Sequence, residues 1–257
     1  MLKKRKSDLA EEFFGLEPAA RVHFTNTLTS EKYGFKITAS SHLGHSYHTV
    51  SCGKIWLEGT EDRRRLCSLI AEIISEYRGH DRSVAILTVG LGSESVTADS
   101  LGSLAADRIA VTGGDGEKLG VSKMCVIKPG VPARTGLDTA KTVGSIAEQA
   151  EAGLIITVDS LSAISPDRLC TALQISDCGV IPGSALAHSS GEISSRTMPC
   201  PVISIGVPTV IRADLLSGNE RDRGLLVSPS DIDVAVSCYA SIIAGGINLA
   251  HLGNNLG

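Results

Sequence analysis

The sequence predicts an α/β protein with a mainly parallel, twisted sheet and helices on both faces. Short runs rich in β-branched residues are continuously apolar, which is typical of strands buried on both faces. Helical patterns separate these runs, as in layered α/β folds. The 257 residues, of which 42% are hydrophobic and 20% charged, suffice to close one core without disulfides or a metal. We therefore expect a single α/β domain.

The first predicted elements are the buried strands. They differ from half-exposed strands because apolar and polar residues do not alternate along them. These runs lie at residues 84–89, 124–127, 154–158 and 202–205.

The helices are predicted from apolar residues that recur every three or four positions. The clearest spans residues 61–78 and ends at Gly79. A second spans residues 228–252, where the pair Gly245 and Gly246 predicts a bend or the close approach of another backbone. Weaker helical patterns cover residues 97–108, 137–152 and 166–173.

The early part of the chain has a different pattern. Residues 20–60 alternate polar and apolar positions and are rich in His, Ser and Thr. Such alternation is typical of strands with one solvated face, so we expect an edge β extension of the sheet here. His42, His45 and His48 recur every third residue, but a strand or loop would scatter them, so we assign no metal site here and leave metal binding by these histidines open.

Composition excludes several classes of function. The net charge of −4 gives no basis for binding nucleic acid. The seven cysteines are odd in number and contain no C-x-x-C pair, which indicates a reducing, cytoplasmic compartment without disulfides. No apolar run predicts a signal peptide or a membrane span, so we expect no membrane partner.

Two aspartates follow predicted strands at the same end of the sheet. Asp99 follows the run at residues 84–89 after a short loop, and Asp159 directly follows the run at 154–158. Loops converge at the carboxyl ends of parallel strands, so these carboxylates can meet and share a proton. One would activate water while the other polarises a carbonyl. The first turn of a helix would make Asp99 the ionised partner, and the reverse assignment stays open. Plain roles as a helix cap or turn former remain open for both.

An ordered series of motifs runs along residues 85–248, and a fainter match lies near the start of the chain. The motifs are SDLA (7–10), VGLG (89–92), VTADSLG (96–102), PGV (129–131), TG (135–136), VDSL (158–161), QISDCG (174–179), PGS (182–184), PVISIGVPTV (201–210), VSPSDID (227–233) and AGGIN (244–248). In this order they resemble the signatures of the bacterial spore germination protease family. An ordered set is far more specific than any single motif.

The resemblance implies an atypical aspartic endopeptidase that degrades small acid-soluble spore proteins during germination, with a fold similar to hydrogenase-maturation proteases. It implies Asp99 and Asp159 as the catalytic pair, without a cofactor, in a homo-oligomer that is a tetramer in the family. It also implies a zymogen that trims itself between Asp8 and Leu9, so that residues 1–8 form a short prosegment and residues 9–257 the peptidase domain.

A peptide substrate needs close access to the backbone of the site. Glycine-rich loops after two of the strands allow such an approach. We expect the substrate-binding positions to be Gly90, Gly92, Pro129, Gly130, Asp177 and Thr209.

The chain departs from the family pattern around the proposed site. Ala98 stands where the family has proline and Ile181 where it has histidine, and residues 160–164 lack the usual arginine. The basic stretch is replaced at residues 187–191, and the connection from 209 to 227 is short. Two alternatives therefore stay open: a metal-dependent maturation-type peptidase with the aspartates as ligands, and a catalytically silent binding or regulatory paralogue.

Overall fold

The computed structural model describes residues 25–79, 83–113, 121–183 and 191–253. Strands and helices alternate through the central part of the chain. The strands are β1 (Thr25–Lys32), β2 (Phe35–His42), β3 (His45–Ser51), β4 (Ile86–Gly90), β5 (Met124–Ile127), β6 (Leu154–Ala163), β7 (Ala172–Ser176), β8 (Val202–Arg212) and β9 (Leu226–Val227). The helices are α1 (Thr60–Arg78), α2 (Leu101–Ala106), α3 (Pro132–Thr135), α4 (Thr139–Gln149), α5 (Ala213–Ser217) and α6 (Ile232–Leu252).

All described strands belong to one mixed sheet with the order β1-β2-β3-β7-β8-β6-β4-β5, and β9 pairs with β8. The pairs β4–β5, β4–β6 and β6–β8 are parallel. The remaining pairs are antiparallel. The α/β class is confirmed, but the prediction of a mainly parallel sheet is wrong because β1–β3 and β7 run against their neighbours.

The predicted helix at residues 166–173 is also wrong. Only the 3-10 turn Pro166–Arg168 forms there, and β7 follows it. All five residues of β7 are buried. A short buried strand and a short buried helix give the same apolar run, so periodicity alone could not separate them.

Two tight hairpins build the edge formed by β1, β2 and β3. Tyr33 and Gly34 turn with φ of 55° and 84°, and Leu43 and Gly44 turn with φ of 50° and 83°. Two successive residues with positive φ define the turn whose twist suits a two-residue hairpin. The antiparallel pairing of β3 with β7 then joins this edge to the rest of the sheet.

Helices cover both faces of the parallel strands. Ile86, Ile156 and Val158 point to the face where α1, α2 and α6 bury their apolar residues. Leu87 and Ile155 point to the opposite face and pack with residues of α4. Because side chains alternate along a strand, the continuous apolar runs serve both layers.

Helix α6 is central to the first layer. Its 21 residues are long and apolar enough to cross a membrane by length and composition, contrary to the prediction for this segment, and half of its most apolar window is buried in the fold. It packs against α1 and α2. The predicted close approach is present, because a methyl group built on Gly246 would lie 2.6 Å from Cγ2 of Ile70 on α1.

Alanine should have opposite effects on stability at two helical glycines, one inside the α1–α6 contact and one outside it. Gly246→Ala should lower the free energy of unfolding by about 1–3 kcal/mol, because the added methyl group overpacks the contact with Ile70. Gly144→Ala in α4 is the matched control, since its methyl group would lie 3.8 Å from Sδ of Met198, an ordinary contact. Alanine should raise stability there by up to about 1 kcal/mol through helix propensity. Urea unfolding of both variants checks this. A change of the same sign in the free energy of unfolding of both would contradict the packing argument.

Candidate active site

The strand β4 ends beside the middle of β6. Their ladder closes at Gly90 and Val158, after which the Leu91 N–H donates to the carbonyl of Val158 at 2.9 Å. Strand β6 continues to Ala163 in register with β8. Asp159 therefore lies within β6, opposite Gly206 of β8, whereas the sequence pattern placed it after the strand.

The carboxylate of Asp159 leans toward the end of β4. Its Oδ1 accepts a hydrogen bond from the Ser160 N–H at 2.9 Å. Alternate amides of a paired strand point to opposite sides, and the Ile155 N–H donates toward the β8 side, to the Pro201 carbonyl. The Ser160 amide consequently points to the β4 side and holds the carboxylate there.

Asp99 reaches the same end of the sheet from a loop. It closes the 3-10 turn Thr97–Asp99, and its Oδ2 accepts a hydrogen bond from the Ser93 N–H at 2.8 Å. Gly92, with φ of 91°, makes this possible, because a methyl group there would lie 2.0 Å from the Asp99 carbonyl oxygen. Only glycine combines that dihedral with so close an approach.

Gly102 connects the two aspartates through the backbone. A methyl group on Gly102 would lie 2.2 Å from the Val158 carbonyl oxygen and 2.4 Å from that of Leu91. The turn Thr97–Asp99 contacts both β6 and β8. Asp99 and Asp159 thus lie on either side of this backbone contact. Their action as one proton-sharing pair stays a prediction.

Burial shapes the charge of Asp99. Its half-buried position raises the pKa of the carboxyl group, and the hydrogen bond from the Ser93 N–H opposes this only in part. Helix α2 begins at Leu101, and Asp99 lies in the 3-10 turn Thr97–Asp99 that precedes it. The raised pKa runs against the prediction that Asp99 is the ionised partner and supports the reverse assignment.

The glycines predicted to admit substrate have a packing role. Gly90 is buried, and a methyl group there would lie 2.4 Å from the Gly102 carbonyl oxygen. Gly92 packs on Asp99, as described. Both glycines thus let α2 and the Asp99 turn approach β4, and their contact with a substrate stays a prediction.

The loop after β5 is tied to the loop that precedes Asp99. Pro129 and Gly130 lead into α3, whose Arg134 donates to Oγ of Ser95 at 3.0 Å. Nζ of Lys128 lies 2.5 Å from Oε1 of Glu94 and 2.7 Å from Oδ1 of Asp107. Pro129 and Gly130 therefore flank the site on the β5 side.

Thr209 and Asp177 do not offer their side chains to the space around the aspartates. Thr209 is fully buried in β8, with 0% of its surface exposed. Asp177 follows β7, whose last residue, Ser176, pairs with Ser204 in the first half of β8. There its carboxylate accepts a hydrogen bond from the Ser46 N–H at 2.8 Å. Asp177 thus lies toward the amino end of β8 and fastens β3.

The hairpin of β2 and β3 places two of the three histidines opposite each other and the third one farther along β3. His42 and His45 face each other across β2 and β3, and Nδ1 of His45 lies 3.3 Å from Oδ1 of Asp177. Nδ1 of His48 lies 3.2 Å from the Tyr77 hydroxyl. Among the described residues, no group of three or more His, Cys, Asp or Glu side chains could hold a metal ion.

Sequence reasoning missed the groups that hold the carboxylates. The amides of Ser93 and Ser160 are backbone donors, so no side-chain pattern reveals them. Gly102 did carry a signal, because a glycine inside a helical pattern indicates close backbone approach. Asp8 and Leu9, the predicted processing site, lie outside the described residues.

The raised pKa of Asp99 predicts that neutralising it stabilises the fold. A folded pKa above the unfolded value means that the folded state binds more protons, so stability falls as pH rises through this window. Asp99→Asn should therefore unfold at a higher temperature than wild type at pH 7, and the difference should shrink as pH falls and Asp99 becomes protonated.

The matched control is Asp138→Asn. Asp138 caps α4 by accepting a hydrogen bond from the Lys141 N–H, and asparagine caps equally well. Thermal unfolding from pH 4 to pH 7 compares the variants. A destabilised Asp99→Asn at pH 7 would show that the carboxylate is favourable where it lies.

Comparison with known proteins gives a consistent result. Residues 36–222 match the sequence model of the family described as germination protease. The germination protease of Clostridium acetobutylicum is 28% identical, with 80% of this chain and 78% of that protein covered. The germination protease of Bacillus mycoides is 32% identical over 72% of this chain and 53% of its own length.

The [NiFe] hydrogenase maturation protease HycI from Thermococcus kodakarensis KOD1 is a solved structure that is similar to this chain. Its TM-score is 0.41 at 18% identity, with 70% of this chain and 99% of that chain covered. The family model covers well over half of the sequence and includes both aspartates. The resemblance seen in the motifs is thereby confirmed, and this chain belongs to the germination protease family.

Proposed function

We propose that this chain is an endopeptidase of aspartic type that hydrolyses small acid-soluble spore proteins during germination, in the cytoplasm of the spore core. Membership of the germination protease family supports the substrate class. The observation that carries the proposal is the backbone contact of Leu91, Gly102 and Val158, because it brings Asp99 and Asp159 to the same end of the sheet.

The mechanism follows from the different surroundings of the two carboxyl groups. Burial favours the protonated form of Asp99, which can donate a hydrogen bond to the scissile carbonyl oxygen. The Ser160 N–H donates to Oδ1 of Asp159 and orients this carboxylate, which acts as the base that takes a proton from water. The water then attacks the carbonyl carbon, and the proton on Asp159 passes to the leaving amine.

The departures from the family pattern include residues next to each aspartate in the sequence. Ile181, which stands in place of histidine, is 44% exposed. Ala98 lies next to Asp99, and the arginine that usually follows the second aspartate is replaced by small or apolar residues in 160–164. We propose that these changes alter the grip on substrate and leave the two aspartates in place.

We further propose that the chain forms a homo-oligomer, a tetramer as in the family. Family membership supports this assembly. Leu225, Leu226 and Val227 form an exposed apolar strip at β9, and a second copy would remove it from water. Light scattering on the purified protein gives the mass, and a monomer at micromolar concentration would contradict the assembly.

The activity is tested with purified protein and a recombinant small acid-soluble spore protein. Wild type should cleave it and should lose residues 1–8 from its own N-terminus, as measured by mass spectrometry. Asp99→Asn and Asp159→Asn should reduce both reactions by at least about 10³-fold, because each removes half of the acid–base pair. Asp62→Asn, on the first turn of α1, is the control and should cleave normally.

Two outcomes would favour the alternatives. Activity that a chelator abolishes, with metal found in the purified protein, would point to the metal-dependent maturation-type peptidase. Folded wild type that neither trims itself nor cleaves the spore protein would point to the silent paralogue.

The position of Asp99 predicts a strong effect of a single methyl group. Gly92→Ala should lower kcat/KM by about 100-fold, because the methyl group must displace the Asp99 backbone and misplace its carboxyl group. Gly224→Ala is the control, since a methyl group at Gly224 meets nothing within 4 Å. Steady-state kinetics of both variants check this. Equal activity of both would mean that the Asp99 turn does not set the geometry.

A further inference from the structure

Two buried hydroxyl groups on β6 and β8 have no hydrogen-bond partner in the described part of the chain. They are Oγ of Ser160 and Oγ1 of Thr209. Thr209 is 0% exposed, so a peptide substrate cannot touch it. A buried hydroxyl without a partner destabilises the fold, and such groups in native proteins are nearly always paired with protein or ordered water.

The two hydroxyls belong to neighbouring strands at an irregular point of the sheet. Ser160 of β6 is in register with Val207 of β8, and the register shifts between Leu161 and Ser162. The shift leaves Thr209 as an extra residue of β8, two positions beyond Val207. A bulge of this kind separates the ladder locally and redirects a side chain.

Ser160 also holds the proposed base. Its N–H donates to Oδ1 of Asp159 at 2.9 Å, so the orientation of the Ser160 peptide group sets the orientation of the carboxylate. A group that holds the Ser160 side chain in place would therefore also fix the orientation of the Asp159 carboxylate.

We propose that the hydroxyls of Ser160 and Thr209 bind one ordered water molecule at the bulge, and that this water fixes the Ser160 amide against Asp159. Each hydroxyl can donate one hydrogen bond and accept others, so a single water can pair with both. Thr209 is then a positioning residue. The effect on catalysis rests on the proposed function, whereas the water site itself does not.

The shape of Thr209 provides the test. Thr209→Val keeps the volume and removes the hydroxyl, and Thr209→Ser keeps the hydroxyl and removes the methyl group. Crystal structures of wild type and Thr209→Ser should show a water between residues 160 and 209, and Thr209→Val should lack it. Thr209→Val should lower kcat by about tenfold at unchanged KM and shift the acidic limb of the pH profile of kcat, because the carboxylate loses its fixed orientation. Thr209→Ser should retain wild-type kinetics.

Stability separates positioning from plain packing. If the hydroxyl acts on catalysis, Thr209→Val should lose activity without a lower melting temperature. A wild-type crystal structure that resolves ordered water but has none at this position would overturn the site. A Thr209→Val variant with wild-type kcat and pH profile would overturn the positioning role. If wild type cleaves no peptide, the proposed function fails, and the crystal structures alone decide whether the water site exists.

Discussion

The arrangement of the site depends on one close backbone contact at the end of β4. Leu91 donates to the Val158 carbonyl, and Gly102 packs against both residues at distances that no side chain would tolerate. This contact ends β4 one residue before β6 reaches Asp159, and it seats α2 directly on the sheet edge. The turn that carries Asp99 precedes α2 by one residue, so its place is set by the same contact. Gly90 and Gly92 extend the contact on the β4 side, which makes the glycines of these motifs structural parts of the site.

The two carboxyl groups receive different environments although both accept hydrogen bonds from backbone amides. The carboxyl group of Asp99 packs against the loop at Ser93, where burial disfavours its charged form. Asp159 sits within a strand whose next amide points at it. Two aspartates that differ in this way can divide acid and base roles. The difference follows from topology, because the loop after β4 buries the side chain of Asp99, whereas β6 continues past the end of β4 and its Ser160 amide donates to Asp159.

The sequence predicts the helices α1 and α6 and the strands β4 to β6 because these elements are long or continuously apolar. It predicts both aspartates at one end of the sheet because parallel strands share their direction. It fails for β7, where five buried residues fit a helix equally well, and for the direction of β1–β3, which depends on tertiary pairing. It fails also for Asp177 and Thr209. Motifs identify residues that matter to a family but not their role. Only the strand register shows that Asp177 binds β3 and that Thr209 is buried at the bulge of β8.

This chain differs from its family in side chains near the aspartates in the sequence, whereas backbone amides hold the aspartates themselves. The amides of Ser93 and Ser160 donate whatever side chains surround them, and the glycines at 90, 92 and 102 are all present. Replacing a nearby arginine or histidine removes charge from the surroundings without removing either of these donors. Charged groups around a peptidase site govern which substrate is attracted and how it is oriented. Specificity can therefore change more readily in this fold than the geometry of its two carboxyl groups.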